Sequence, residues 1–592
     1  MRPVIDILEE RIGAALSSVT GHSGLIALVK PATDPKFGDY QVNGVMAAAK
    51  QLRTNPRQLA EKVVQSLDIS NICLPPEIAG PGFINLRLKT EYLAERLLEI
   101  GADQHRLAID KTARPKRTVV DFSSPNIAKQ MHVGHLRSTI IGDAICRMLQ
   151  FEGHTVIRQN HIGDWGTQFG MLIAMIHRRS TLALRGKVTG VIPSTLSEFE
   201  ALYKEAKQLF DSDKAFQREA QQAVVGLHQG DRTWIGRWQV LVAHSKKEYQ
   251  DIYSRLNVTL RPEDDRGESA YNHMLADVVQ ELRGKGLAVE SDGAICVFPE
   301  GFVGKEGQPL PFIIQKSDGA FLYATTDLAA LKYRIEELKA DEIIYVTDAR
   351  QKLHFEMLFA TARLAGWVPD HVKLEHVMFG TVLGEDNTPL KTRSGQNVKL
   401  RELLDEAVER ARAVVEEKNP QLSEDRKAEI ARAVGIGAVK YADYANNRTS
   451  DYVFSFDRML AMDGNTAPYM QYACARVKSI ERKAAGKDVD IASELSGIAT
   501  LHLAEPAELE LAKHLIRYGE VIENAMADFR PNYLTAFLYE LAQKFSGFYN
   551  SCPVLAADAR SRPTRLLLCD LTYRTIAHGL SELLGIRVVE QM

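Results

Sequence analysis

The chain has 592 residues, 45% of them hydrophobic and 25% charged, with a net charge of −3. This is the profile of a soluble globular protein too long for one core, so about three or four domains are expected. A pI of about 6.6 excludes an overall polycation, which leaves only local basic patches for any grip on nucleic acid. The six cysteines (73, 146, 296, 474, 552 and 569) form no CxxC pair, which points to a reducing compartment and away from a structural zinc site. No run of about 18 uninterrupted apolar residues suggests a membrane helix. The opening MRPVIDILEERIGAAL reads as an acidic amphipathic helix rather than a targeting peptide, so the expected place is the cytoplasm.

Residues 1–112 read as a separate α/β module. After the first helix comes a loop around Asp34–Tyr40. Helices follow from Asn43 to Leu52 and from Pro56 through Leu67. In the next stretch Phe83, Asn85 and Arg87 alternate with Ile84, Leu86 and Leu88, the pattern of a half-exposed strand. Phe83 and Asn85 on an open sheet face can stack on and hydrogen-bond an unpaired base; a surface aromatic without a role is the other reading. KTARPK (111–116) is a basic linker.

The next unit begins with an apolar β-branched run, Thr118-Val119-Val120, which reads as a buried strand. The polar loop Ser123-Ser124-Pro125-Asn126 follows. Then Leu136, Ile140, Ile141, Ala144, Ile145, Met148 and Leu149 recur at helical spacing. Strand, loop and helix in this order bring a helix N-terminus to the carboxyl edge of a parallel sheet, where α/β folds bind nucleotides. His132-Val133-Gly134-His135 sits at that helix entrance. Two His three apart share a face and can donate to phosphate oxygens, and Gly134 lets a nucleotide lie against the backbone. Lys129 adds a cation upstream. The bland alternative is a pair of capping histidines on an ordinary helix. The spacing is less apt for a metal than i, i+4, and no metal site is expected.

The string SSPNIAKQMHVGHLRSTIIGD (123–143) resembles the HIGH region of class I aminoacyl-tRNA synthetases, and that of the arginyl enzymes in particular. The resemblance implies an α/β Rossmann-type catalytic core (class I synthetase fold) over 113–400, with an N-terminal α/β module and a C-terminal all-α bundle domain. It implies that Lys129, His132 and His135 are catalytic, that these three with Gly134 hold ATP, and that Ser124, Asn126 and His135 face the amino acid. Magnesium would travel with ATP, with no tightly bound cofactor. It also implies that the N-terminal module, with Phe83 and Asn85, contacts the tRNA elbow.

Thr155–Arg158 is a second strand. It leads into QNHIGDWGTQFG (159–170), a polar glycine-rich loop that in arginyl enzymes frames the pocket; a plain turn before a helix is the alternative. About 179–254 reads as a surface-helical insertion with Ser197 as a first N-cap. The second half opens with an acidic stretch containing Asp264, Asp265, Glu268 and Asp292. Phe312–Lys316 reads as a strand, Ser317-Asp318-Gly319 as a turn, and Phe321-Leu322-Tyr323 as a returning strand. YATTD (323–327) passes into a helix. Ile343–Val346 is a buried strand ending in the loop that holds Gln351.

A guanidinium needs acceptors, best a carboxylate, which makes Asp327 and Glu268 candidates; Asp327 reads equally as a helix N-cap. The resemblance implies that Tyr323 and Asp327 contact the arginine side chain and that Gln351 faces the amino acid. A further strand is expected from His376 to Val382. KTRSG (391–395) then lies where class I enzymes carry KMSKS. Lys391 and Arg393 can assist on a triphosphate, but the motif's second lysine falls on Ser394, and Lys129 is its natural substitute.

From about 400 the pattern is nearly all helical, with stripes over Leu403–Glu417 and Asp425–Val439. A connector over 401–460 and an anticodon-binding domain over 461–592 are expected from the resemblance. Tyr469, Tyr472, Phe545, Tyr549 and Met592 would then lie toward the anticodon loop; Tyr469 and Tyr472, three apart, fit a core role equally. The sequence thus reads as an arginine–tRNA ligase acting on arginine, ATP and tRNA(Arg), with no membrane partner and a monomer expected. Activation itself would require tRNA. A small nucleotidyltransferase, a synthetase of other specificity and a non-catalytic tRNA-binding protein are the rivals. Chain length, the lack of Cys/His zinc ligands, and intact Lys129, His132 and His135 respectively stand against them.

Overall fold

A computed structural model describes residues 1–184, 196–391, 397–487 and 489–591. The chain divides into two compact units. One combines Met1–Lys111, Ala461–Glu582 and Arg587–Met592; the other combines Thr112–Leu460 and Leu583–Ile586.

In the first unit, helix Val4–Thr20 precedes a four-stranded antiparallel sheet. Its spatial order is Val29–Pro31, Tyr40–Val42, Phe83–Leu86, Glu77–Ala79. Asn55 caps helix Pro56–Ser66 by accepting from the Arg57 and Gln58 amides, and Pro56 loses nothing at the first helical position. The Phe83–Leu86 strand is interior to its sheet, paired on both sides. Asn85 is not on an open face: it is 5% exposed and its Oδ1 accepts from Gln41 Nε2 at 2.9 Å. The rest of this unit is helical, including Ala467–Ala485, Pro506–Leu515, Tyr518–Ala527, Pro531–Ser551 and Arg562–Ala577. Tyr40, buried, donates to Glu520 at 3.4 Å, and Lys513 pairs with Asp39 at 2.9 Å, so the sheet module and the helices share one body.

The second unit is built on a four-stranded sheet ordered Lys373–His376, Glu342–Tyr345, Arg117–Asp121, Thr155–Gln159, with all three pairings parallel. The chain first runs one way from Arg117–Asp121, through helix Val133–Glu152 to Thr155–Gln159. It later returns on the other side at Glu342–Tyr345. The strand order therefore reverses between Arg117–Asp121 and Glu342–Tyr345, and a crevice opens beyond their carboxyl ends. Four helices, Thr167–Leu184, Leu196–Ser212, Lys214–His228 and Arg232–Arg255, lie between the two halves of the sheet in sequence. The second of them begins at Leu196, so Ser197 is one residue inside it and is not its N-cap.

Two strand expectations are corrected. Only Phe321 bridges back to Gln315; the expected return to Tyr323 is cut short because a helix, Tyr323–Glu336, begins there. The strand expected over 376–382 is Lys373–His376. Beyond it the Phe379 amide turns to Thr347 O and the Gly380 amide to Arg448 O, and Val382–Leu383 pairs instead with Tyr452–Val453.

A buried Arg334 fixes the rotation of helix Tyr323–Glu336. It donates to Asp121 at 2.7 Å and to Gln159 at 2.6 Å, at the ends of two sheet strands. Asp327 lies seven residues earlier, about two turns along the same face, so the ion pair also aims Asp327. Near the chain's end, buried Lys440 donates to Leu256 O at 2.7 Å and Gly585 O at 2.8 Å, which ties Leu583–Ile586 to this unit.

Candidate active site

The loop between strand Arg117–Asp121 and helix Val133–Glu152 has left-handed backbone at Ser123 (φ 73°), Ser124 (φ 47°) and Ala128 (φ 63°). Such conformations cost about 1–3 kcal/mol each and persist only where the surroundings over-determine them. Here they do. Ser123 is buried, its amide donating to Ser138 Oγ and its hydroxyl lying 2.8 Å from Thr139 Oγ1 and 2.7 Å from the Tyr253 hydroxyl. Ser124 donates its amide to Asn160 Oδ1 and its hydroxyl to Asp121. Ser138 Oγ in turn donates to Val346 O at 2.6 Å, joining the helix to the neighbouring strand end.

His132 and His135 cap the helix reciprocally. The Gly134 amide donates to His132 Nδ1 at 3.1 Å, and the His132 amide to His135 Nδ1 at 3.2 Å. With each Nδ1 accepting, each Nε2 carries the proton and is the nitrogen able to donate. The capping and phosphate-binding readings are therefore compatible: the cap sets the tautomer. A Cβ on Gly134 would lie 2.8 Å from His132 Cε1, so the missing side chain makes room for that ring as well as exposing backbone. The rings stand 4.2 Å apart between centroids. Burial holds His132 below the usual imidazole range and takes His135 down to about 3, with Lys129 and the neighbouring imidazole adding to it. Lys129 is exposed, its ammonium 5.5 Å from the centre of the Tyr203 ring.

Asn126, exposed, bridges to Gly163, and the Ile127 amide donates to Gly163 O at 3.0 Å. A Cβ on Gly163 would stand 2.3 Å from Asn126 Oδ1, which explains a glycine in the 159–170 loop. The next residue, Asp164, accepts from Ser269 N and Oγ at 2.9 and 2.7 Å, and the Glu268 amide donates to Ile162 O. One hydrogen-bonded path thus leads from the HxGH loop to Glu268.

Glu268, Asp327 and Asp164 form an acidic cluster. Burial, then the negative charges of Asp327 and Asp164, push the Glu268 carboxyl up to about 8. Asp327 sits a full turn inside its helix, which begins at Tyr323, so it is not the N-cap. Its Oδ2 contacts His354 Nε2 at 2.7 Å and its Oδ1 faces His161 Nε2 at 3.8 Å. Tyr323 is 64% exposed, and its hydroxyl is raised by burial and by Glu268. Gln351 is exposed at the end of a short turn capped by Asp348, with no bond to the cluster among the described residues. Lys391, exposed, bridges Asn397; Arg393 lies outside the described residues. Sequence reasoning missed His161 and His354 as partners of Asp327. The first was visible only as part of the loop string, and the second carries no local signal at all.

In the other unit, Arg476 lies over Tyr472 (5.0 Å) and Tyr549 (5.6 Å), and Tyr472 is 40% exposed. Tyr469 packs edge-on against Tyr539 at 5.7 Å. Phe545, at 1% exposure, belongs to the helical core rather than a surface, because it falls on the inward stripe of Pro531–Ser551. Phe83 is half-buried, and Met592 lies outside the described residues.

Three family models match the chain: the class I (R) tRNA synthetase catalytic domain over 98–456, the DALR anticodon binding domain over 470–592, and the arginyl tRNA synthetase N-terminal domain over 6–88. The arginine–tRNA ligase of Synechococcus elongatus is 51% identical over 594 residues, covering 99% of each chain. That of Chromobacterium violaceum is 49% identical over 586 residues, again with 99% of each chain covered. The arginyl-tRNA synthetase structures from Plasmodium falciparum and Thermus thermophilus superpose over 100% of both chains. Their TM-scores are 0.85 and 0.79, at 30% and 27% identity.

Proposed function

The chain belongs to the class I arginyl-tRNA synthetases, and on that premise we propose how its own residues carry out arginine–tRNA ligation. It is an arginine–tRNA ligase using ATP. In the first step the arginine carboxylate attacks the α-phosphorus and pyrophosphate leaves; in the second the arginyl group passes to the terminal ribose of tRNA(Arg). Neither step needs a protein nucleophile, so the residues act by positioning and by neutralising charge.

In this reading His132 and His135 donate through Nε2 to the phosphate chain at the helix N-terminus. Gly134 leaves the backbone open to the nucleotide. Lys129 supplies the cation for the departing pyrophosphate, assisted by Lys391 and Arg393. Ser124, Asn126 and His135 face the arginine α-groups and carboxylate. Asp327, Glu268, Tyr323 and Gln351 receive the guanidinium. Magnesium arrives with the ATP phosphates; among the described residues no three His, Cys, Asp or Glu side chains are grouped to hold a metal.

The observation that carries this reading is the acidic cluster itself. Burial first, and the negative charges of Asp327 and Asp164 second, push the Glu268 carboxyl up to about 8. A guanidinium among them relieves that repulsion and satisfies the acceptors together.

Residues 1–112, with the half-buried Phe83, contact the tRNA elbow, while Asn85, buried and bonded to Gln41, takes no part in that contact; residues 461–592 contact the anticodon loop through Tyr469, Tyr472 and Tyr549. Phe545 supports that surface from beneath; Met592 lies outside the described residues. Activation requires tRNA, and the enzyme works as a cytoplasmic monomer without a membrane partner. Among the described residues no helix is long and apolar enough to cross a membrane. The test is ATP–pyrophosphate exchange with and without tRNA(Arg). Arginine-dependent exchange only with tRNA is expected; exchange without tRNA removes the tRNA requirement, and none in either condition removes the catalytic reading.

A further inference from the structure

The residues that follow the KTRSG segment run back beside the HxGH turn. Lys399 forms an antiparallel bridge with His132, flanked by Val133 N–H to Val398 O at 3.0 Å and Leu400 N–H to Met131 O at 2.9 Å. Bridged residues of an antiparallel pair project to the same side, with Cβ atoms about 5 Å apart. Lys399 therefore shares its face with the first histidine. It is also the N-cap residue of helix Leu400–Lys418, yet its side chain makes no cap bond. Its side chain is 31% exposed, and the ammonium lies 3.8 Å from Glu200 Oε2.

Glu200 belongs to helix Leu196–Ser212 of the insertion. Its Oε1 accepts from the Gln130 amide at 3.0 Å, and Gln130 Nε2 approaches Oε2 at 3.4 Å. One turn further along the same helix, Tyr203 lies under the Lys129 ammonium. One face of the insertion helix thus meets two lysines: Glu200 meets Lys399, and Tyr203 meets Lys129. Both attachments are weak ones for partly exposed cations, of the kind a polyphosphate outcompetes.

We propose that Lys399 is a second phosphate-contacting cation at the HxGH turn, sharing with Lys129 the charge role of the lysine that Ser394 replaces, and that Glu200 positions its ammonium before the triphosphate arrives. The inference rests on the functional reading above. It adds to Lys129 a residue that approaches from the opposite strand. Two ammonium groups flanking the leaving pyrophosphate neutralise more of its charge than one.

The test uses the full chain charging tRNA(Arg), inhibited separately by inorganic pyrophosphate and by AMP. Lys399→Met is expected to weaken inhibition by pyrophosphate roughly tenfold to a hundredfold, the loss of one charge-assisted hydrogen bond. Inhibition by AMP and the KM for arginine are expected to stay within about twofold, and Lys399→Arg to restore most of the pyrophosphate affinity. Should Lys399→Met fold poorly, Lys399→Gln is read in the same way. Equal weakening of pyrophosphate and AMP would mean a distorted turn and would overturn the proposal, as would no change in either. Wild-type enzyme that fails to charge tRNA with arginine would sink the functional reading instead, before any variant is made.

Discussion

Asp327 and His354 are joined by a 2.7 Å contact between Oδ2 and Nε2, while His161 faces the other carboxylate oxygen at 3.8 Å. The carboxylate is thereby oriented from two sides on a helix whose rotation Arg334 sets. In the proposed reading, replacing Asp327 by Ala removes an acceptor for the guanidinium. The arginine KM should rise by roughly two to three orders of magnitude while the ATP KM stays within about threefold. His354→Ala should raise the arginine KM by about tenfold through loosened orientation. Equal effects on both substrates, read from steady-state charging kinetics, would reduce Asp327 to a structural role.

Glu268 has a carboxyl pushed up to about 8 by burial and by Asp327 and Asp164. At pH 7 it carries a proton. Arginine keeps its charge throughout this range and favours the ionised carboxylate, so binding releases a proton. Affinity for arginine should therefore climb between about pH 6 and 8, by at most about tenfold per unit, and level off above. Calorimetry in two buffers of different ionisation enthalpy, with tRNA present, should detect the released proton. Glu268→Gln should abolish both the release and the slope.

The imidazoles of the HxGH turn sit below the usual histidine range, His135 at about 3. At saturating arginine, kcat for activation should consequently show no acid limb from His135 between about pH 5 and 7. A limb near 6.5 would mean that one of them works as a cation. His135→Ala should lower kcat by about 10²–10³, the range for losing one preorganised donor to developing charge.

Tyr472 and Phe545 make opposite predictions. Tyr472 is exposed beneath Arg476, so Tyr472→Ala should weaken tRNA(Arg) binding by roughly tenfold without changing thermal stability. Phe545 is core, and Phe545→Ala should destabilise the fold by about 3–5 kcal/mol. Filter binding and thermal melts separate the two.

The sequence disclosed the parallel core well. A strand buried on both faces writes itself as a continuous β-branched run, as at Val119 and Ile343. The HxGH helix was legible because motif, loop and periodicity coincide within about thirty residues. What was not legible depended on distant partners. Asn85 alternates as if exposed, but Gln41 and two flanking strands cover it. Asp327 looked like a cap because the preceding residues looked like a strand; the helix had in fact begun at Tyr323. His354 and Lys399 acquire meaning only through residues 27 and more than 190 positions away, at Asp327 and Glu200. No local pattern encodes such contacts.

The most direct measurement of whether these carboxylates select a cation compares tRNA(Arg) charging with arginine and with citrulline, its neutral isostere. A pocket built on Asp327 and Glu268 should disfavour citrulline by about 10⁴ or more in kcat/KM, because the positive charge is lost and a carbonyl oxygen replaces a terminal donor against the half-buried Asp327 carboxylate. The gap should narrow sharply in Asp327→Asn. Comparable use of the two amino acids by the wild-type enzyme, or an unchanged gap in that variant, would contradict it.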